Sequence, residues 1–260
     1  MVKPLVFVGM PVTDACAYVW KEVLEAVANL EYPHDRMRVH GVFHFAPLAY
    51  RTWAQWQQEA RLACSDEDYR EVPSAKRESW RGYANPALTT VMYVQERVRQ
   101  AFLKTDCDYC LWVEADQIVT PALLDNLLAT EKDIVMAATP ARHDPDLMNC
   151  CFGSPFALSM HKTTEFPLGK LVECTSVGMG CTLVKRWVLE AIGWEDPPAL
   201  MKKYRNGGDV AFCAEATEKL GVKPFVDMKT TAAHVQLTGK VLHYYRLAAN
   251  AVERTVERLN

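Results

Sequence analysis

The chain has 260 residues, half of them hydrophobic, which is enough for one sizeable core, or a core with a small lobe, and a single domain is expected. Its net charge of -3 excludes the bulk positive field that draws nucleic acid or anionic membrane without specificity. No run reaches the roughly 18 apolar residues that a bilayer span needs, and "MVKPLVFVGM" lacks a signal peptide's long apolar stretch, so a soluble, cytoplasmic protein is expected.

In chain order, "PLVFVGMP" reads as a strand that ends in Gly9 and Pro11. "TDACAYVWKEVLEAVANL" follows with helical spacing at Ala17, Trp20, Leu24, Val27 and Ala28, and Thr13 or Asp14 can cap it. "MRVHGVFHF" is a second strand. Residues 46–86 read as a long irregular insertion or lid. Between Tyr50 and Tyr83 it carries Trp53, Trp56 and Trp80 among six basic and six acidic residues. Such aromatic faces stack on sugars or on nucleobases. "ALTTVMYVQERVRQAFL" is helical, with Val91, Val94, Val98, Ala101 and Phe102 on one face.

"DYCLWVE" is a third strand. Thr120 as cap and Pro121 at the first helical position then start a helix whose inner residues are Leu123, Leu124, Leu127 and Leu128. "DIVMAA" is a fourth strand, and residues 149–177 read as short strands broken by Pro155, Pro167 and Gly169. "KRWVLEAI" and "DVAFCAEATEKLG" are helices, the second closed by Gly221. "KPFVDM" and "TAAHVQL" are strands, and residues 238–260 read as a C-terminal amphipathic helix. Strands separated by helices imply a mostly parallel central sheet between helical layers, an α/β fold.

Nine cysteines, an odd number, form no recognisable disulfide framework, so reduced thiols are expected. Cys107 and Cys110 make a CxxC, and Cys150 and Cys151 are adjacent. The CxxC precedes a strand instead of opening a helix and has no second pair, so buried thiols fit better than zinc ligands.

Glu114 and Asp116 follow the apolar run Leu111, Trp112, Val113, where a buried strand should end. Strand alternation would set Trp112, Glu114 and Asp116 on one side, with both carboxylates at the edge where open α/β sheets bind ligands. Two such carboxylates repel unless a cation lies between them, and hard oxygen donors suit Mg²⁺ or Mn²⁺. The alternative is a solvated Glu114 and an Asp116 that starts a turn.

"CDYCLWVEADQIVTPALLDNLL" resembles the segment around the metal-binding DxD of GT-A fold nucleotide-sugar glycosyltransferases of the family 2 type, with Glu114 at the first Asp. "PLVFVGMPV" is similar to their nucleotide-binding first strand, and "TSVGMGCTLVKR" to their acceptor-side loop. "GGDVAFCAEATEKLGVKPFVDMKTTAAHV" resembles the later segment that ends in a metal-binding His. The resemblance spans most of residues 4–236 and implies a GT-A type, Rossmann-like sandwich.

The resemblance implies Asp116 and His234 as ligands of a Mn²⁺ or Mg²⁺ ion, with Glu114 on the metal or the donor's ribose. His234 read alone would be a buried core histidine. Pro11, Val12, Thr13 and Ala115 would line the nucleoside site, and Gly178, Met179 and Gly180 the donor-sugar or acceptor loop. Asp209 is placed to cap a helix from Val210, whereas the resemblance implies the base that deprotonates the acceptor. The family's acidic pair is here Gly208 and Asp209. Arg97 and Arg99 either face solvent beside Glu96 or bind the nucleotide.

The implied activity is hexosyl transfer from a nucleotide-diphosphate sugar, a UDP-sugar, to the hydroxyl of a carbohydrate or small molecule. Glycosylation of hydroxylated bases in phage DNA, nucleotidyl transfer and non-catalytic nucleotide-sugar binding remain alternatives. Nucleic acid is possible as a partner but not favoured by the charge.

Overall fold

The computed structural model describes residues 2–60, 62–69, 86–142, 144–167, 169–204, 207–248 and 251–259. The chain begins with β1 (Val6–Val12), whose side chains alternate between two cores. Phe7 faces one; Val6 and Val8 face the other. Helix α1 starts at Trp20 and runs to Ala28, later than expected, because Asp14–Cys16 forms a short 3-10 turn first. Asp14 caps a different helix: its carboxylate accepts the backbone N–H groups of Leu48 and Ala49, both at 3.1 Å, at the start of α2 (Pro47–Glu59).

β2 (Met37–His44) pairs parallel with β1, and β3 (Ala63–Tyr69) pairs parallel with β2. Residues 46–60 and 62–69 therefore belong to the body of the fold and do not form a lid, while residues 70–85 of the expected insertion lie outside the described residues. Trp53 is fully buried beside Trp20 and Phe43, and its indole N–H donates to Asp66 at 2.9 Å. Trp56 is half-buried against Trp53, and Trp80 lies outside the described residues.

α3 (Pro86–Leu103) is buried well beyond its apolar stripe. Gln95, Glu96 and Arg99 are as enclosed as Val94 and Val98, whereas Val91, expected inside, is exposed. β4 (Tyr109–Trp112) lies parallel to β1. Next come β5 (Gln117–Val119) and α4 (Leu123–Ala129). Thr120 and Pro121 precede α4 in a turn, and the Thr120 hydroxyl donates to the Thr231 carbonyl instead of capping the helix.

β6 (Ile134–Ala138) is followed by β7 (Cys150–Ser154), β8 (Ala157–Ser159), β9 (Leu171–Glu173) and β10 (Ser176–Val177). β11 (Thr182–Lys185) runs antiparallel between β4 and β6. α5 (Arg186–Ala191), α6 (Pro197–Tyr204) and α7 (Gly208–Leu220) follow. Gly221, left-handed at φ 70°, ends α7 as expected.

The two expected late strands are one long strand, β12 (Pro224–Thr238), irregular between Asp227 and Thr231. Residues 238–248 and 251–259 are not a helix. β13 (Val241–Ala248) folds back on β12 through Gly239 at φ 61°, and β14 (Ala251–Arg258) pairs with β13. A left-handed glycine in a two-residue connection is hairpin chemistry, and the ladder it starts outweighs the helical charge spacing of this segment.

The main path of the described sheet runs β14-β13-β12-β6-β11-β4-β1-β2-β3. It is mixed, parallel from β4 to β3 and antiparallel around β11 and in the C-terminal hairpin, with buried helices on both faces. Because β1, β4 and β6 run in the same direction, the segments after Val12, Trp112 and Ala138 open at a common edge. Among the described residues no helix is long and apolar enough to cross a membrane.

Candidate active site

Strand geometry stops at Trp112, and the Gln117 N–H donates to the Glu114 carbonyl at 3.0 Å, so residues 114–117 form a turn. That turn, and not strand alternation, brings the two carboxylates to one place. β12 extends past the end of β6 and pairs with β5, setting His234 opposite Gln117, while the Val235 N–H donates to the Asp116 carbonyl at 2.8 Å. His234 Nε2 consequently lies 3.3 Å from Asp116 Oδ2, with both side chains almost wholly buried. His234 Nδ1 lies 3.1 Å from the Pro140 carbonyl, which favours a proton on Nδ1, so loss of the Nε2 proton that faces Asp116 would leave Nε2 free to bind a metal. His234 is thus a core histidine that is also aimed at a carboxylate.

Burial pushes the Glu114 carboxyl up to about 8, helped by the charges of Asp116 and Asp209 and opposed by those of His234 and Arg142. All these groups therefore share one electrostatic neighbourhood. For His234, burial disfavours the charged form, but the hydrogen bond and charge of Asp116 prevail and raise it above the ordinary imidazole value. Gln117 supports Glu114, donating to it at 3.4 Å, while its own buried carbonyl oxygen has no partner among the described residues.

Asp209 is not a helix cap. Gly207 holds the N-cap position, and Asp209 sits inside the first turn of α7. Its carboxylate accepts the Gln95 amide at 2.8 Å and the Met179 backbone N–H. Burial raises its carboxyl against those two hydrogen bonds. The Met179 contact ties Asp209 to the glycine loop, which is close-packed: a Cβ on Gly178 would overlap Asn149, and one on Gly180 would overlap Gln117.

Pro11, Val12 and Thr13 end β1 at the same edge; Val12 is buried, Pro11 half-buried and Thr13 exposed. Ala115 is buried behind the turn. Arg97 and Arg99 are engaged elsewhere. Arg97 pairs with Glu67 at 2.9 Å, and Arg99, enclosed and not solvated, pairs with Glu96 at 2.9 Å beside the Leu189 carbonyl. Trp53 is too buried to meet a ligand, and Trp56 lines a separate groove between α1 and α2.

Sequence reasoning missed Gln95, Gln117 and Arg142. Arg142, after β6, places Nη2 3.5 Å from Asp116 Oδ2. The one signal for Gln95 was a polar residue next to Val94 inside an apolar helix.

A UDP complex of S. aureus TarS superposes at TM-score 0.54 and 9% identity over 87% of this chain and 59% of that one. The mannosyltransferase PcManGT from Pyrobaculum calidifontis, in complex with GDP-Man and Mn²⁺, gives 0.52 and 14% over 88% and 57%. The STIV protein A197 gives 0.50 and 14% over 98% and 94%. The chain has the GT-A fold. It spans just under three fifths of the length of the TarS and PcManGT chains. No protein-family model matches the sequence, and no curated protein matches it.

In GT-A terms, the edge that gathers Asp116, His234, Glu114 and Asp209 is the carboxyl edge of the sheet. Among the described residues, no three acidic, His or Cys side chains form a ready-made metal cluster. The donor set at Asp116 is one carboxylate oxygen and one imidazole nitrogen, with a second carboxylate close enough to feel both charges. This fits a Mn²⁺ or Mg²⁺ ion that takes few protein ligands and completes its shell with phosphate oxygens and water.

Proposed function

We propose that the chain is a glycosyltransferase that moves a sugar from a nucleoside-diphosphate sugar, a UDP-sugar, to a hydroxyl of a carbohydrate or other small acceptor. One observation carries the reading: His234, from the far strand β12, lies 3.3 Å from Asp116 at the carboxyl edge of a GT-A sheet, with the half-buried Glu114 and Asp209 near enough to act on each other's charge. The TarS and PcManGT complexes with UDP and with GDP-Man and Mn²⁺ agree with this reading.

Asp116 and His234 would hold the divalent ion, which when bound supplies positive charge to the leaving diphosphate. Pro11, Val12 and Thr13 would border the nucleoside, and the Gly178 to Gly180 loop the transferred sugar. Asp209 would accept the acceptor's hydroxyl proton as that oxygen bonds to the anomeric carbon and the carbon–phosphate-oxygen bond breaks. Gln95 and the Met179 N–H hold its carboxylate in place, and burial keeps it basic enough to take a proton. The chain's small net negative charge supplies little of the counterion-release term that DNA binding needs, which favours a small acceptor.

The test is a panel of UDP- and GDP-sugars assayed for nucleoside diphosphate release, with and without sugar acceptors and Mn²⁺. Release from one donor class, dependent on Mn²⁺ and accelerated by an acceptor, is expected. Binding without turnover of any donor would replace the enzyme by a nucleotide-sugar-binding protein.

A further inference from the structure

Arg142 belongs to a segment whose backbone is pinned to the site. The Pro140 carbonyl faces His234 Nδ1, the Ala141 N–H donates to the Leu147 carbonyl at 2.8 Å, and the Asn149 N–H donates to the Thr139 carbonyl at 3.0 Å. From there its guanidinium reaches Asp116 Oδ2, the same oxygen that His234 Nε2 approaches. The two partners differ in environment: the Asp116 side chain is 4% exposed and that of Arg142 50%.

At 3.5 Å this contact is longer than the roughly 2.7–2.9 Å of a charge-assisted hydrogen bond, and longer than the enclosed Arg99–Glu96 pair at 2.9 Å. A guanidinium has five N–H donors, and this one reaches Asp116 through one nitrogen and is open to solvent. Burial opposes its charge, but Asp116, Cys16, Tyr18 and Glu114 all lie near enough to favour it.

We propose that Arg142 is a donor-binding residue that occupies Asp116 in the empty site and turns to the phosphates of the nucleoside diphosphate when a divalent ion takes Asp116 over. The proposal rests on Asp116 being the cation site. A guanidinium and a divalent ion would compete for the same carboxylate oxygen and repel each other at short range, so binding of the ion displaces the arginine. The planar fork then matches phosphate oxygens that the ion draws to the same edge. Arg142 therefore weakens ion binding in the absence of nucleotide and strengthens nucleotide binding in the presence of the ion.

These opposite signs make the test. Full-length, metal-stripped wild type, Arg142→Gln, Arg142→Lys and Asp116→Asn are titrated calorimetrically with Mn²⁺ alone, and with UDP at saturating Mn²⁺. Thermal melts verify that each variant folds. For Arg142→Gln the expected result is Mn²⁺ affinity raised ~3-fold or more and UDP affinity lowered ~10-fold or more, as loss of a charge-assisted phosphate contact requires. Arg142→Lys should bind UDP better than Arg142→Gln. Asp116→Asn should lose Mn²⁺ binding. If it does so while Arg142→Gln leaves either affinity unchanged or shifts both the same way, the role of Arg142 is refuted. If Asp116→Asn binds Mn²⁺ like wild type, the cation site itself is misplaced and the proposal falls with it.

Discussion

Two glutamates, Glu114 and Glu215, are both drawn out of water, and their surroundings drive them in opposite directions. Burial pushes each carboxyl up. At Glu215 on α7, hydrogen bonds from Lys203, Lys219 and Tyr204 more than reverse that push and hold it at about 2. At Glu114 burial and the charges of Asp116 and Asp209 outweigh those of His234 and Arg142, and it stays up at about 8. One site is complete within the protein, with every charge answered. At the other, burial and neighbouring carboxylates hold Glu114 largely in its neutral form beside Asp116, His234 and Arg142, the kind of perturbation that marks a candidate functional site.

The largest expected effect separates chemistry from stability at this second site. Asp209→Asn keeps the shape of a side chain held by Gln95 and the Met179 N–H but cannot accept a proton. Turnover should drop ~100-fold or more, the usual range for loss of a general base, with Tm nearly unchanged. The acid limb of the wild-type rate profile should lie above the ordinary aspartate range, because burial raises Asp209 and only its ionised form can act. Normal turnover by Asp209→Asn would make Asp209 a positioning group for the glycine loop and leave the base to be found elsewhere.

Next comes Glu215. Glu215→Gln removes the charge that two lysines answer and should cost about 1–3 kcal/mol, read as a fall in denaturation midpoint, without changing kcat. Its folded pKa is depressed, so its stabilisation is present above about 4.5 and lost as pH falls toward about 2.

The smallest effect is the mirror image. The folded pKa of Glu114 is raised, so its contribution is fully present below about 4.5 and lost as pH rises through about 8. Metal-free wild type should lose stability from pH 5 to pH 8, by about 1–2 kcal/mol once the coupling with Asp116 is discounted. Glu114→Gln should flatten that slope, and equal slopes in the two proteins would show that Glu114 ionises freely.

The same contrast explains what could be read from the sequence. Strands β1, β2, β4 and β6 and the glycine stop at Gly221 were legible because burial on both faces and a left-handed cap leave local signatures. The ordered motifs were legible too, and they pointed to the carboxyl edge. The C-terminal hairpin was misread as a helix: the signal was Gly239 in the two-residue connection between Thr238 and Val241, against a longer run with helical charge spacing. Residues 46–69 were read as an insertion because β3, with Ser65, Asp66, Glu67 and Asp68, has no apolar alternation, and its place depends on pairing with β2. At the site, residue types were readable but partners were not. Asp209 caps nothing because a loop 30 residues earlier supplies its hydrogen bond, and Arg97 and Arg99 meet acids on other elements.

The central claim, that the edge around Asp116 takes a divalent ion with a nucleoside diphosphate whereas the Glu215 cluster only stabilises, is tested most directly by calorimetric titration. UDP and GDP would be titrated into wild type, Asp116→Asn and Glu215→Gln, each with Mn²⁺ and with excess EDTA. Binding of one nucleotide to wild type and to Glu215→Gln with similar affinity, dependent on Mn²⁺, is expected, with its loss in Asp116→Asn and in EDTA. Equal binding by all three proteins in EDTA would contradict that claim.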